Sequence, residues 1–236
     1  MPTSPAAERT AAGVRAMFDR VAPRYDLANT LLSLGQDRGW RQAAAKATRL
    51  APGEVALDVA CGTGGLTRAL ARFQPRATVL GADFAVEMVR RAPRPPDAMD
   101  PAYLAADAVK LPFGDDTLDV VTIAFGLRNL PDPDQGMREF HRVLRQGGRL
   151  VVCEFSKPTA PLFGQVYDRY LVTLLPRAAR LVASDAEAYQ YLARSIGAWP
   201  DQAGLARQLR RLGFNQVQWR DLSGGIVALH RGVVDD

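Results

Sequence analysis

Asp58, Gly62, Thr63 and Gly64 are the residues of this 236-residue chain whose types and spacing point most directly to chemistry. They fall in Leu57-Asp58-Val59-Ala60-Cys61-Gly62-Thr63-Gly64-Gly65-Leu66, an apolar run closing on an acid, then a glycine turn and the start of a helix through Leu70. Glycine lacks the Cβ that would hold a ligand away, so a ligand can rest on bare backbone at the helix N-terminus. Dinucleotide sites usually space three glycines as G-x-G-x-x-G, but Thr67 stands at the third position here. A carboxylate at Asp58 would repel a pyrophosphate, whereas it suits the cationic amino-acid end of S-adenosylmethionine. The stretch therefore predicts an S-adenosylmethionine site, with a nicotinamide dinucleotide as the disfavoured alternative.

Two further acids stand at the carboxyl ends of predicted strands, where ligands bind in an open parallel sheet. Asp83 closes the run from Ala77, and its carboxylate can accept both hydroxyls of a ribose. Asp107 closes the run from Tyr103; it can accept from an adenine amino group while the backbone amide of Ala108 donates to the ring. Each acid also has a plainer reading, as a helix N-cap or a turn cap. Their combination with the glycine turn favours the cofactor.

The elements that must position these residues follow from hydrophobic pattern. Residues up to about Arg49 read as helical, with Val14, Met17, Phe18 and Val21 on one face of a helix stopped at Ala22-Pro23. Pro52-Gly53 closes that segment. Strands are then expected at the glycine-turn run, Ala77–Asp83, Tyr103–Asp107, Leu118–Ala124 and Arg149–Phe155. The helices between them include Ala85–Arg91 and one from about Asp134 to Leu144 that runs out at Gly147-Gly148. Continuous apolar strands alternating with helices imply a parallel sheet covered on both faces. Between Pro158 and Trp199 the pattern turns to a charged, proline-broken amphipathic stretch, unsuited to spanning a bilayer and suited to lining an apolar pocket or resting on a membrane surface. Gln202–Leu212 reads as a helix, and Phe214–Asp221 with Ile226–Arg231 as a closing hairpin. The expected division is a single domain: a helical cap over 1–50, a cofactor-binding core over 51–157, a helical insertion over 158–200, and a C-terminal helix and hairpin over 201–236.

Composition narrows the function classes. The formal charge is +5 and the isoelectric point about 9.5, yet the basic residues are scattered and no aromatic residues interleave with them, which disfavours nucleic acid. A weak attraction to a membrane surface is the functional reading of that charge, and solvated faces are the plain one. Met1 to Gly13 show no secretory pattern, so the expected location is cytoplasmic, with peripheral contact at the inner face of the membrane. Cys61 and Cys153 are expected as buried free thiols, and neither has a partner at metal-ligand spacing. No metal is expected.

Several segments together resemble the quinone-biosynthesis C-methyltransferases, the demethylmenaquinone and ubiquinone methyltransferase family. Tyr25-Asp26 with Asn29, Leu32-Ser33 and Trp40 is similar to one signature, and Arg142 to Leu150 continuing to Glu154-Phe155-Ser156 is similar to the other. Phe125-Gly126-Leu127-Arg128-Asn129-Leu130, Ser184 to Tyr189 and Gly224 to His230 add to the likeness, which runs from about Phe18 to Gly232. Members often carry Asp at the position of Gly65, Ser at that of Ala124 and Pro at that of Gln146. The resemblance implies a Rossmann-like class I S-adenosylmethionine-dependent methyltransferase: a mostly parallel seven-stranded α/β sheet with helices on both faces, a helical cap and an insertion after the fifth strand. It implies cofactor contacts at Thr63, Asp83, Asp107 and Ala108, a prenylated quinol substrate and a homodimer.

The chemistry of a reduced quinone then assigns roles. Its ring carbon must attack a sulfonium methyl in line, and ionising a ring hydroxyl makes that carbon more nucleophilic. The protein must align the reactants, exclude water and steady the developing phenolate. Arg128 and Asn129, just beyond the fourth strand, are expected to do the last; a structural ion pair is the alternative for Arg128. Tyr25 is expected to close over the site from the cap. His141 and His230 read as structural. Demethylmenaquinol is the leading substrate, a polyprenyl benzoquinol the second, and a non-catalytic cofactor-binding subunit the reading from another class.

Overall fold

The computed structural model describes Gly13, Ser33 and residues 35–93, 101–159 and 186–235. The helix expected around Val14–Val21, the signature residues Tyr25 and Asn29, and most of the expected insertion lie outside the described residues. The first full element is α1 (Asp37–Ala47), whose buried Trp40, Ala44 and Ala45 recur at helical spacing. It is followed by β1 (Val55–Val59), α2 (Gly65–Phe73), β2 (Thr78–Asp83), α3 (Val86–Arg91), β3 (Ala102–Ala105) and β4 (Leu118–Ala124). A 3₁₀ turn over Leu127–Asn129 leads to α4 (Pro133–Val143), β5 (Leu144–Phe155), α5 (Ala186–Ala198), α6 (Gln202–Arg211), β6 (Asn215–Leu222) and β7 (Val227–Val233).

The seven strands form one sheet in the order β3-β2-β1-β4-β5-β7-β6. β1 to β5 run parallel, and β7 inserts antiparallel between β5 and β6. β1 pairs with β2 on one side and β4 on the other, so the order reverses at β1. That reversal opens a crevice beyond the carboxyl ends of β1 and β4.

Alternating residues of each strand feed the two faces. Leu57, Val59, Val121 and Ile123 pack with Phe140 and Leu209 on one side. Ala56, Val120 and Val151 pack with Trp40, Leu66 and Leu70 on the other. Capping fixes where helices begin: Asp132 accepts from the Gln135 amide at 2.9 Å ahead of α4, and Asp201 from the Gly204 amide at 2.7 Å ahead of α6.

Two boundaries differ from expectation. The helix predicted to run out at Gly147-Gly148 ends at Val143, because Leu144 is already extended and pairs with Leu118. Residues 145–148 bulge before Arg149 resumes the ladder opposite Val120. The third strand stops at Ala105, and Asp107 lies beyond it in a turn bridged to Lys110.

Candidate functional site

The crevice holds a cavity of about 790 Å3, counting space open to solvent. Its walls come from four strand ends: Val59, Ala60 and Gly62 after β1; Asp83 and Phe84 after β2; Ala106, Asp107 and Ala108 after β3; and Ala124, Phe125 and Gly126 after β4. Met88 of α3 and Asn129, Leu130 and Pro131 complete it.

Beneath the cavity the glycine turn is built as the sequence implies. Gly62 and Gly64 adopt φ of 57° and 79°, the left-handed region that glycine enters without a Cβ penalty. Gly64 is constrained twice, since a Cβ there would run into the ring and hydroxyl of Tyr103. The turn is then tied to the second strand, because the Gly62 amide donates to Asp83 Oδ2 at 2.7 Å. The other oxygen of Asp83 accepts from the Ala85 amide at 2.8 Å, which caps the turn between β2 and α3 rather than the helix itself, whose N-cap is Ala85. Asp107 Oδ1 accepts from the Val109 amide at 3.1 Å, likewise capping a turn. Both acids nevertheless line the cavity, as do Gly62 and Ala108.

Asp58 and Thr63 are placed differently. Asp58 is 1 % exposed and lies under the turn, where the hydroxyls of Thr67 and Thr122 donate to its two oxygens at 2.7 and 2.9 Å. Burial dominates those two bonds and pushes its carboxyl up to about 6. Asp58 thus braces β1, α2 and β4 against one another rather than lining the cavity. Thr63 is also buried, and its carbonyl accepts from the Arg68 guanidinium at 2.6 Å.

Beyond β4, Arg128 forms the ion pair that was its alternative reading. Its Nη1 lies 2.7 Å from Glu154 Oε1 and 2.7 Å from the Phe125 carbonyl, with the side chains 7 % and 1 % exposed. Removing the pair from water forces each charge onto the other, and burial pushes the Glu154 carboxyl up against the pull of Arg128. Arg128 Nε is buried and has no hydrogen-bond partner among the described residues. Asn129 donates from its amide nitrogen to the same Phe125 carbonyl at 3.1 Å, lines the cavity, and has a buried Oδ1 with no partner among the described residues. Tyr25 lies outside the described residues.

The remaining titratable groups sit elsewhere. His230 Nε2 meets the Gln202 carbonyl at 2.9 Å, and burial holds its imidazole below the usual range. The His141 ring packs edge-on to Phe214 with centroids 5.2 Å apart. Both cysteines are buried thiols, pushed up by burial. Among the described residues no helix is long and apolar enough to cross a membrane.

Sequence reasoning missed Thr67, Thr122, Tyr103 and Glu154. The first three carry no local signal, because each acts on a residue from another element. Glu154 carried one, an acid inside an apolar strand, which predicts a buried partner.

A mostly parallel sheet with this strand order, a glycine turn at its switch point and acids at and just beyond the next two strand ends define a Rossmann-like class I S-adenosylmethionine-dependent methyltransferase. The cradle fits that cofactor: bare backbone at Gly62, carboxylates at Asp83 and Asp107, and an apolar lining at Phe84 and Met88. Among solved structures, a chain of the complex between the Haloferax volcanii Trm112 methyltransferase activator and its methyltransferase superposes with a TM-score of 0.68 at 19 % identity, covering 93 % of this chain and 98 % of that one. A Thermotoga maritima S-adenosylmethionine-dependent methyltransferase superposes with 0.65 at 18 %, covering 94 % and 100 %. At such identities the likeness is one of fold. The profile of the ubiE/COQ5 methyltransferase family matches residues 6–234, and the chain belongs to that family. It is 54 % identical over 219 residues to the demethylmenaquinone methyltransferase of Mycobacterium marinum, covering 93 % of this chain and 92 % of the relative.

Proposed function

We propose that the protein C-methylates a prenylated quinol, demethylmenaquinol first among them, using S-adenosylmethionine. The observation that carries the reading is the 54 % identity to a demethylmenaquinone methyltransferase across nearly the whole chain, in a fold whose cavity suits the cofactor. When bound, the cofactor supplies an electrophilic methyl on a sulfonium. In this reading Asp83 accepts the ribose hydroxyls, and Asp107 with the Ala108 amide takes the adenine edge. Gly62, Thr63 and Gly64 present backbone to the amino-acid end. Asp58 favours that cation through its charge while holding the turn in shape.

On the acceptor side, Asn129 Oδ1 accepts from a ring hydroxyl of the quinol. Arg128 acts in two ways: it fixes the Phe125 carbonyl and thereby Asn129, and its unpartnered Nε–H donates toward the developing phenolate. Tyr25 closes the site from the cap. The bound cofactor would supply the methyl to the ring carbon and would keep the bonding pair on its sulfur, and the ring proton would pass to solvent as aromaticity is restored. The apolar wall keeps water from the sulfonium during the transfer. The basic surface and the lipid tail of such a substrate support peripheral contact with an anionic membrane face, and a homodimer belongs to the same reading.

Incubation with methyl-labelled S-adenosylmethionine and reduced naphthoquinol or benzoquinol acceptors tests this. Label in the naphthoquinol is the expected result, label in the benzoquinol alone would reassign the ring, and label in neither would overturn the reading.

A further inference from the structure

Phe125 lines the cavity just beyond the fourth strand, ahead of the 3₁₀ turn, and its backbone is in an unfavourable place. It holds φ of 58°, a region that a bulky L-residue enters only under constraint. Three hydrogen bonds impose it: the Phe125 amide donates to the Cys153 carbonyl at 2.8 Å, and the Phe125 carbonyl accepts from Arg128 and Asn129 at 2.7 and 3.1 Å. Turning the chain does not require a phenyl ring. Glycine adopts this backbone at no steric penalty, and glycine is the very next residue, where a Cβ would collide with that of Ala60. The ring at 125 is therefore held at the cavity against the preference of its own backbone.

Its surroundings are aromatic. The Phe125 centroid lies 5.7 Å from Trp40 and 5.1 Å from Phe155, and the Arg128 guanidinium stands 5.1 Å from the Phe155 ring centroid. Trp40 is fixed in turn by donating from Nε1 to Ser223 Oγ at 2.9 Å. Of these three rings only Phe125 lines the cavity, beside Asn129 and opposite the acidic strand ends. An occupant of that place presents an apolar aromatic face to Phe125 and an oxygen to Asn129, and a reduced quinone ring has both.

We propose that Phe125 is a specificity-determining residue, the wall on which the quinol ring stacks, held there by the strained backbone that Arg128, Asn129 and Cys153 impose. This rests on the quinol reading given above. An offset stack on a fixed ring favours the wider fused naphthalene over a single benzene ring, because more of its face is covered.

The test compares Phe125→Leu with Phe155→Leu, which alters the same aromatic cluster away from the cavity. Two readouts are used: KM for the demethylated naphthoquinol, and calorimetric binding of a short-chain oxidised naphthoquinone, which accepts no methyl group. Phe125→Leu is expected to raise both constants about tenfold, the scale of a lost aromatic stack, while S-adenosylhomocysteine binding stays within about twofold. Phe155→Leu is expected to lower Tm and leave both quinone constants within about twofold. Unchanged quinone constants in Phe125→Leu, or an equal rise in Phe155→Leu, would overturn the proposal. If Phe125→Leu does not fold, Phe125→Met carries the test, and failure of both to fold would show Phe125 to be a core residue only. Wild-type protein that labels no quinol would defeat the function reading instead, which keeps the two failures apart.

Discussion

Along the rim formed by β1, β2 and β3, the carboxylates of Asp83 and Asp107 line the cavity and are steadied by backbone amides. Along the rim formed by β4 and β5, the charges of Arg128 and Glu154 are withdrawn from water and paired with each other. The first rim sets its charge at the cavity wall. The second uses charge to hold shape, and leaves to the cavity an aromatic ring and one amide. Polar ribose and adenine edges suit the first, and a flat apolar ring with an oxygen suits the second.

The largest expected effect comes from breaking the buried pair. Arg128→Ala leaves Glu154 uncompensated and is expected to destabilise the fold by about 3–5 kcal/mol in denaturant melts. Glu154→Gln, which keeps volume and removes the charge, should be milder. A loss of turnover in Arg128→Ala with stability unchanged would show that Arg128 acts on substrate and not through the pair.

On the opposite rim, Asp83→Asn removes a charged acceptor but spares the core. Its S-adenosylmethionine affinity should fall about 10- to 100-fold by calorimetry, following the strength of hydrogen bonds to charged groups. Equal affinity in the variant would remove Asp83 from the ribose site and erase the contrast between the rims.

Asp58 sharpens the comparison through pH. Its folded carboxyl titrates at about 6 against an ordinary 3.8, so the folded chain holds that proton more tightly than the unfolded chain does. Its contribution therefore makes stability fall as pH rises from about 3.8 to about 6, with no slope from this group outside that window. Asp58→Asn should remove that part of the slope in denaturant midpoints taken across the interval. A slope unchanged in the variant would place the titrating group elsewhere.

The smallest effect is expected at Ala124, which lines the cavity at the meeting of the two rims. Ala124→Ser adds a hydroxyl to the cavity wall. It should change S-adenosylmethionine affinity by less than about tenfold, the worth of one neutral hydrogen bond. A larger gain would place position 124 on the cofactor rim.

The acids of the first rim were legible because strand ends and glycine turns are local patterns. A β strand announces itself by its apolar run, and the residue at its carboxyl end is thereby placed at the crevice. Asp83 was read from Ala77 to Asp83 alone, and it lines the cavity where that reading put it. Asp107 was placed at the rim for the same reason, although its strand ends two residues sooner. Arg128 was less legible. Its position after β4 was evident, but its state depends on Glu154, which lies across the β4–β5 ladder.

By itself the sequence determined the alternation of strands and helices, the glycine turn and the acids around it, because these follow from hydrophobic period and backbone freedom within short stretches. Only the tertiary structure decided which polar groups remain available to a ligand. Thr67 and Thr122 close around Asp58, Glu154 pairs with Arg128, and three hydrogen bonds from two elements hold Phe125 in a backbone state its residue type disfavours. Each outcome joins residues far apart in the chain, and in a close-packed interior burial sets the charge and partner of a group as firmly as its chemical type does.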